Sequence, residues 1–253
     1  MPDFDSYPPG TPSWVDLSTP DKDASIAFYS SLFGWGVLEQ GPEAGGYAMF
    51  TKAGKQVAGV TSTISEAQPA AWPTYVTVDD ADATFEAAKS AGGEAIVEPM
   101  DILDVGRMTM FTDPTGAAIA AWQPRLHRGA ALANEAGALC WNELQTRDTE
   151  AAKTFYRDVF GWGAETSEIG DMKYTEWKRG ETSIAGLMEM PSDIPSEAPP
   201  YWLVYFCVDD TDAAMATAKE QGGVSFVEPT DIPAGRFAVV GDPNGAGFGI
   251  IRL

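Results

Sequence analysis

The chain contains the same sequence pattern twice. The block 14–36 returns 127 residues later, at 141–163, with eleven of its 23 positions identical. The block 75–102 returns at 205–232 with 15 of 28 positions identical. A repeat of this length exceeds the unit of a solenoid and matches the size of a domain. The sequence therefore predicts a duplicated domain, in which functional residues are sought at positions that both copies keep or that one copy has lost.

Each copy divides again into two similar units. Hydrophobic periodicity predicts one strand, one helix and three further strands in each unit. In the first unit, Thr19 is predicted to cap the helix because a proline follows it at the first helical position. The turn Asp-Pro-Thr-Gly at 113–116 recurs as Asp-Pro-Asn-Gly at 242–245, before the last strand of each copy. We therefore predict an α+β fold of four βαβββ units in two domains, at 10–125 and 138–253.

Acidic residues dominate the charge of the chain. Its 37 Asp and Glu residues against 16 Lys and Arg residues give a formal net charge of −21. Nucleic acids and anionic membranes attract basic surfaces, so this composition argues against both as partners. No segment approaches the roughly 18 apolar residues of a membrane span, and the N-terminus lacks the basic and apolar regions of a secretory signal. We therefore predict a cytoplasmic protein, whose two cysteines are small buried residues rather than a disulfide or metal site.

The four units carry a set of recurring motifs. These are an Asp-rich helix start, a Phe-Tyr pair before Phe-Gly-Trp, a Gly-Gly pair after the second helix, and Asp-Pro-x-Gly before the last strand. Over nearly the whole chain this arrangement resembles the vicinal oxygen chelate superfamily, which includes glyoxalase I, bleomycin-resistance proteins, fosfomycin-resistance enzymes and extradiol dioxygenases. The tandem layout is most similar to its glyoxalase-like members.

The resemblance implies that two units pack into a curved, half-open barrel whose concave face holds a ligand. Either adjacent units or units from different halves could form each barrel, and the sequence leaves that choice open. A monomer suffices to form both barrels, and the sequence does not exclude a homodimer. The superfamily hosts several chemistries, so the resemblance does not by itself set the reaction.

Metal-using relatives place a His, Gln or Glu early in the first strand of each unit, and a Glu or His late in its last strand. The corresponding positions here are Trp14, Pro73, Trp141 and Leu203 for the early ligands, and Gly59, Ala120, Gly186 and Gly249 for the late ones. None of these side chains binds a divalent ion. The only histidine, His127, lies between the two copies and is predicted to be a surface residue. We therefore predict no metal and no cofactor, which argues against glyoxalase I and extradiol dioxygenase chemistry.

Two carboxylates lie at matching positions in the two copies. Alternate residues of a strand share a face, so Trp14 and Asp16 point the same way, as do Trp141 and Glu143. The resemblance places that face on the cavity. A carboxylate beside a tryptophan is partly desolvated, which raises its pKa and suits general acid or base catalysis. The alternative is that each acid accepts structural hydrogen bonds or pairs with an arginine.

Two arginines, Arg107 and Arg236, are also kept at matching positions. A guanidinium can hold a carboxylate, enolate or carbonyl oxygen of a ligand. The alternative is a salt bridge to Asp101 in the first copy or Asp231 in the second. The paired aromatic residues are predicted to fill the core or the barrel rim, and those facing the cavity would favour a flat or apolar ligand. The predicted site comprises Asp16, Glu143, Arg107 and Arg236 as catalytic residues, and Trp14, Trp141, Tyr75 and Tyr205 as substrate-binding residues.

Three functions stay open at this point. The first is a metal-independent lyase, isomerase or tailoring enzyme acting on a small carbonyl-containing or aromatic, polyketide-like molecule. The second is a non-catalytic protein that binds or sequesters such a molecule, as bleomycin-resistance proteins do. The third is an interaction protein with a vestigial cavity. An acid and an arginine converging in a cavity favour the enzyme, and an aromatic lining without such convergence favours the binder.

Overall fold

The computed structural model describes residues 5–65, 67–170, 172–192 and 194–253. Within these residues, each half contains eight strands and two α-helices in the predicted βαβββ order, which confirms the α+β fold. The first half comprises β1 (Pro12–Thr19), α1 (Lys22–Phe33), β2 (Gly36–Glu39), β3 (Ala48–Lys52), β4 (Lys55–Ser62), β5 (Thr74–Thr77), α2 (Ala81–Ser90), β6 (Glu94–Ile102), β7 (Gly106–Thr112) and β8 (Ala118–Pro124). The second comprises β9 (Leu139–Thr146), α3 (Thr149–Phe160), β10 (Gly163–Ile169), β11 (Met172–Arg179), β12 (Thr182–Glu189), β13 (Tyr201–Cys207), α4 (Thr211–Glu220), β14 (Val224–Ile232), β15 (Gly235–Gly241) and β16 (Gly247–Arg252).

Adjacent units share one sheet. The strand order of the first half is β2-β3-β4-β1-β5-β8-β7-β6, and the second half repeats it as β10-β11-β12-β9-β13-β16-β15-β14. The central pair β1 and β5 is antiparallel, whereas β1 and β4 run parallel. Each half-open barrel is therefore built from neighbouring units, which answers the pairing question that the sequence left open.

The four helices begin at equivalent aspartates. The side chain of Asp21 accepts a hydrogen bond from the Ala24 backbone N–H at 3.0 Å, so Asp21 is the N-cap of α1. The prediction that Thr19 caps this helix is wrong, because Thr19 is the last residue of β1 and its hydroxyl bonds Ser25 Oγ at 2.8 Å. The remaining helices use Asp80, Asp148 and Asp210 in the same way. A carboxylate at this position satisfies a free N–H and complements the positive end of the helix.

Helices from one half pack against strands of the other. In α1, Phe28 and Tyr29 are buried in a cluster that also contains Phe206 and Phe248 of the second half. A second cluster buries Phe155 and Tyr156 of α3 with Phe111 of the first half. The core is therefore shared across the chain, although each sheet belongs to one half.

The repeated motifs supply a hydrogen-bonded link at each of these contacts. Tyr29 donates from its hydroxyl to Asp242 Oδ2 at 3.0 Å and accepts from Trp72 Nε1 at 2.9 Å. Asp242 belongs to the Asp-Pro-Asn-Gly turn of the other half. Its second carboxylate oxygen accepts from the backbone N–H of Asn244 in that turn and from that of Ala246, the residue that follows it. The symmetric link joins Trp202, Tyr156 and Asp113 at 2.9 and 3.0 Å. The Phe-Tyr and Asp-Pro-x-Gly motifs thus hold the two halves together.

The two cysteines are free. Cys207 is buried, whereas Cys140 is only partly buried. Within the part of the chain that the structure describes, no helix is long and apolar enough to cross a membrane.

Candidate active site on the concave sheet faces

Strand pairing brings a tryptophan, an acid and a tyrosine together in the first half. Trp14 and Asp16 share one face of β1, as strand alternation predicts. Trp14 lies opposite Tyr75 on β5, and Asp16 lies opposite Gly59 on β4. A side chain at Gly59 would overlap the Asp16 carboxylate and the Tyr47 hydroxyl. The glycine therefore leaves the space in which these two groups meet.

Four residues, Trp14, Asp16, Tyr47 and Tyr75, form the first-half cluster. Oδ1 of Asp16 accepts hydrogen bonds from Trp14 Nε1 at 2.7 Å and from the Tyr47 hydroxyl at 2.8 Å. The Tyr75 hydroxyl also acts on this carboxylate and lowers its pKa. Trp14 and Tyr75 are buried, and Asp16 is partly buried. The two donors and the Tyr75 hydroxyl are all neutral, so the carboxylate is held without a counter-charge in these contacts.

Burial raises the pKa of Asp16, although the hydrogen bonds from Tyr47, Tyr75 and Trp14 act in the opposite direction. Burial and the Asp16 charge raise the pKa values of Tyr47 and Tyr75 well above their ordinary range. The tyrosines therefore remain hydrogen-bond donors at neutral pH. The acid is the group of the cluster that can exchange a proton with a bound molecule.

The second half contains a related cluster with different hydrogen bonds. Glu143 Oε1 accepts from Gln145 Nε2 at 2.9 Å and from the Tyr205 hydroxyl at 3.2 Å. Trp141 Nε1 donates to the Tyr174 hydroxyl at 2.8 Å, in place of the tryptophan–acid contact of the first half. Burial raises the pKa of Glu143, opposed by hydrogen bonds from Gln145, Tyr174 and Tyr205.

The surroundings of the two clusters differ in polarity. The first-half cluster packs against the apolar side chains of Met49, Met108, Met110 and Trp122. Met49 lies two residues after Tyr47 in the first half. The equivalent position in the second half, two residues after Tyr174, is Glu176, which forms a salt bridge with Lys178 at 2.7 Å. The first concave face is therefore suited to an apolar or aromatic molecule, and the second is more polar.

The linker between the halves covers the first-half cluster. His127 is only 9% exposed, and its ring lies 4.4 Å from the Trp14 ring, centroid to centroid. Trp122 Nε1 donates to the His127 carbonyl oxygen at 2.9 Å. Burial lowers the pKa of His127 to about 4, so the ring is neutral at pH 7. The prediction of a surface histidine is wrong, because the linker folds back over the sheet.

The two repeated arginines take part in ion pairs away from the carboxylates of the clusters. Arg107 donates from Nε to Asp82 of α2 at 2.7 Å and from Nη1 to Asp101 at 3.2 Å. Its neighbour Met108 packs on the first-half cluster, so strand alternation places Arg107 on the helix-facing side of the sheet.

Arg236 repeats this arrangement in the second half. It donates to Asp212 of α4 at 2.7 Å and to Asp231 at 3.0 Å. The structure thus brings Asp16 together with Trp14 and Tyr75, and Glu143 together with Tyr205, but does not bring either arginine to them. The geometry favours the salt-bridge interpretation of both arginines.

Comparisons with known proteins show the family to which the chain belongs. The family model described as the Glyoxalase/Bleomycin resistance protein/Dioxygenase superfamily matches residues 11–121 and again 138–250. The chain belongs to this superfamily.

Two relatives of similar length show which members of the superfamily the chain is similar to. It is 44% identical over 259 residues to "Putative glyoxylase CFP32" of Mycobacterium bovis, covering 100% of this chain and 98% of the relative. It is 38% identical over 262 residues to "Anthracycline biosynthesis protein DnrV" of Streptomyces peucetius, covering 98% and 94% respectively.

Solved structures share the fold at low sequence identity. A Mn(II)-bound glyoxalase from Novosphingobium aromaticivorans aligns with a TM-score of 0.66 at 17% identity, covering 96% of this chain and 82% of the other. The 2,2',3-trihydroxybiphenyl 1,2-dioxygenase of Sphingomonas wittichii aligns with a TM-score of 0.67 at 13% identity, covering 97% and 91%. These likenesses establish the superfamily fold and nothing about the reaction.

The side chains on the concave faces do not fit the divalent-metal site of the superfamily. Within the described residues, no three His, Cys, Asp or Glu side chains come together as ligands. In the first half, the carried-over ligand positions hold the indole of Trp14 and the bare backbone of Gly59, over which the Tyr47 hydroxyl lies. Asp16 is engaged by neutral donors instead of sharing a cation with a second acid.

Several residues of the clusters were not predicted as site residues. Tyr47 and Tyr174 occupy matching positions of the repeat, and that match is the signal that could have found them. Gln145 shares the face of Glu143 by strand alternation. The position of His127 had no such signal, because the linker has no counterpart in the repeat.

Proposed function

We propose that the protein binds a small, uncharged aromatic ketone on the concave face of its first half, and that Asp16 exchanges a proton with it without a metal. The observation that carries the proposal is the Asp16 carboxylate with a raised pKa, held by Trp14, Tyr47 and Tyr75 among apolar side chains. The apolar surroundings suit a flat molecule, and the acid suits a C–H group next to a carbonyl. The superfamily relatives named as a glyoxylase and as an anthracycline biosynthesis protein are consistent with a carbonyl-containing ligand.

The reaction class that this arrangement supports is enolisation. Asp16 takes the proton from the carbon beside the carbonyl, the C–H electron pair forms a C=C bond, and the carbonyl oxygen gains negative charge. Protonated Asp16 no longer needs the Tyr47 hydroxyl as a donor, so Tyr47 can donate to the developing oxyanion. Return of the proton to the same or another carbon completes an exchange or an isomerisation.

The test uses 1-tetralone, a bicyclic aromatic ketone with exchangeable protons beside its carbonyl. Protein treated with a chelator is incubated with this probe in D₂O, and deuterium incorporation is followed by NMR. We expect exchange above the buffer rate, little effect of Glu143→Gln, and loss of the enhancement in Asp16→Asn. Asn keeps the size and the hydrogen-bond acceptor of Asp but cannot take the proton.

Quenching of tryptophan fluorescence measures binding of the same probe separately. Binding without deuterium exchange would support the second candidate, a non-catalytic binding protein. The specific observation that favours this alternative is that Arg107 and Arg236 are committed to ion pairs and supply no cation for an oxyanion. Failure of 1-tetralone to bind at all would refute the proposal for this ligand class.

A further inference from the structure

The segment 125–130, which we call the strap, crosses the concave face of the first half. Backbone N–H groups of Arg125 and His127 donate to the carbonyl oxygen of Val105, both at 3.0 Å. At its other end, the N–H of Ala130 donates to the Ser13 carbonyl oxygen at 2.8 Å. The strap therefore carries His127 inward, onto the face where the first-half cluster lies.

One polar atom of the strap has no partner. His127 Nε2 is buried and forms no hydrogen bond with any described residue. The ring packs edge-on against Trp14 and Trp122, contacts that a phenylalanine would make equally well. A buried polar atom without a partner is unfavourable, so such an atom in a native protein requires an explanation. A hydrogen-bonding group that arrives with a bound molecule supplies one.

The surroundings of the ring define the chemistry of that molecule. His127 contacts the same indole, that of Trp14, whose Nε1 donates to Asp16 at 2.7 Å, so Asp16 and His127 both lie against one side chain. The ring is neutral at pH 7 because burial lowers its pKa. A hydroxyl group can pair with Nε2 in either tautomer of the neutral imidazole, because a hydroxyl both donates and accepts hydrogen bonds.

We propose that His127 is a ligand-binding residue of the first half, whose Nε2 forms a hydrogen bond with a hydroxyl group of a bound hydroxylated aromatic ketone. This inference rests on the proposed function and narrows its substrate class. The chain has one histidine, so the two halves are unequal: only the first half can recognise the hydroxyl group in this way.

Matched probes and matched variants test the role of His127. The probes are 1-tetralone and its 5-, 6- and 7-hydroxy derivatives, and the variants are His127→Phe, which keeps the ring packing, and His127→Gln, which restores an acceptor. We expect at least one hydroxy derivative to bind the wild-type protein about 3- to 10-fold more tightly than 1-tetralone, which is the size of one neutral hydrogen bond. His127→Phe should abolish that preference, and His127→Gln should recover part of it.

A second measurement does not depend on the variants. The single histidine gives one set of imidazole nitrogen signals in ¹⁵N-resolved NMR spectra, and the Nε2 signal should shift when the preferred hydroxy derivative is added. If 1-tetralone and its derivatives bind but the Nε2 signal stays fixed, or if His127→Phe keeps the preference, the inference is overturned and the proposed function stands. If no probe binds the wild-type protein, both are overturned.

Discussion

Replacing Tyr29 by phenylalanine removes one hydroxyl from the link between the two halves. Tyr29 is fully buried, and its hydroxyl has two partners, Asp242 Oδ2 and Trp72 Nε1. Both partner atoms lose this hydrogen bond while the apolar packing of the ring is kept. Leaving a buried polar group unpaired costs about 1–3 kcal/mol, so two such groups give a loss of roughly 2–6 kcal/mol in the free energy of unfolding.

Urea denaturation followed by circular dichroism and by tryptophan fluorescence measures this loss. Tyr156→Phe is the matched variant, because Tyr156 has the same two contacts, to Asp113 and Trp202. The control is Tyr201→Phe, whose hydroxyl makes one long hydrogen bond of 3.4 Å and should cost under about 1 kcal/mol. If both buried variants lose less than the control, the motifs do not link the halves as the structure indicates.

Three further predictions concern the first half. Gly59→Ala places a methyl group against Asp16 and Tyr47, so we expect loss of deuterium exchange by 1-tetralone and about 1–3 kcal/mol lower stability in urea. Arg107→Ala should leave probe binding and exchange unchanged in the same fluorescence and NMR assays, because its donors point to α2. His127 has a pKa of about 4 in the folded protein, against an ordinary value of 6.5 for histidine, so below pH 6.5 the unfolded state binds more protons. The free energy of unfolding should therefore fall by about 2 kcal/mol between pH 7.5 and 5 because of His127. His127→Phe should remove this part of the pH dependence, measured by urea denaturation at each pH.

Each of these predictions has a contradicting result. Wild-type exchange in Gly59→Ala would mean that Asp16 and Tyr47 do not act from the observed positions. A large loss of probe binding in Arg107→Ala would mean that Arg107 contributes to ligand binding. Equal pH slopes for the wild-type protein and His127→Phe would mean that the histidine titrates normally and is not buried as described.

Local patterns in the sequence predicted the fold and part of the site. The repeat and the strand alternation depend on short-range rules, and they correctly placed Trp14 and Asp16 on one face. The sequence predicted Thr19 as the helix cap, whereas the cap is Asp21, because β1 continues through Thr19 in its pairing with β4. Strand pairing depends on residues that are far apart in the sequence, so a local capping pattern does not predict where the strand ends.

The remaining features depend on contacts between distant parts of the chain. Tyr29 and Asp242 are 213 residues apart, and nothing in either motif indicates that the two residues are in contact. The burial of His127 follows from the path of the linker over the sheet, which composition does not reveal. For Arg107, the sequence offered both a ligand clamp and a salt bridge, and the position of α2 favours the latter.

A crystal of the chelator-treated protein soaked with a brominated 1-tetralone tests the central claim most directly, because anomalous scattering locates the bromine without ambiguity. The account predicts one bromine site on the concave face of the first half, beside Asp16 and Trp14 and under the strap. It is contradicted by a bromine site only beside Glu143, or only in the cleft of about 350 Å³ that residues including Tyr7 and Cys140 line. Binding that appears only after a divalent metal is added would contradict it equally.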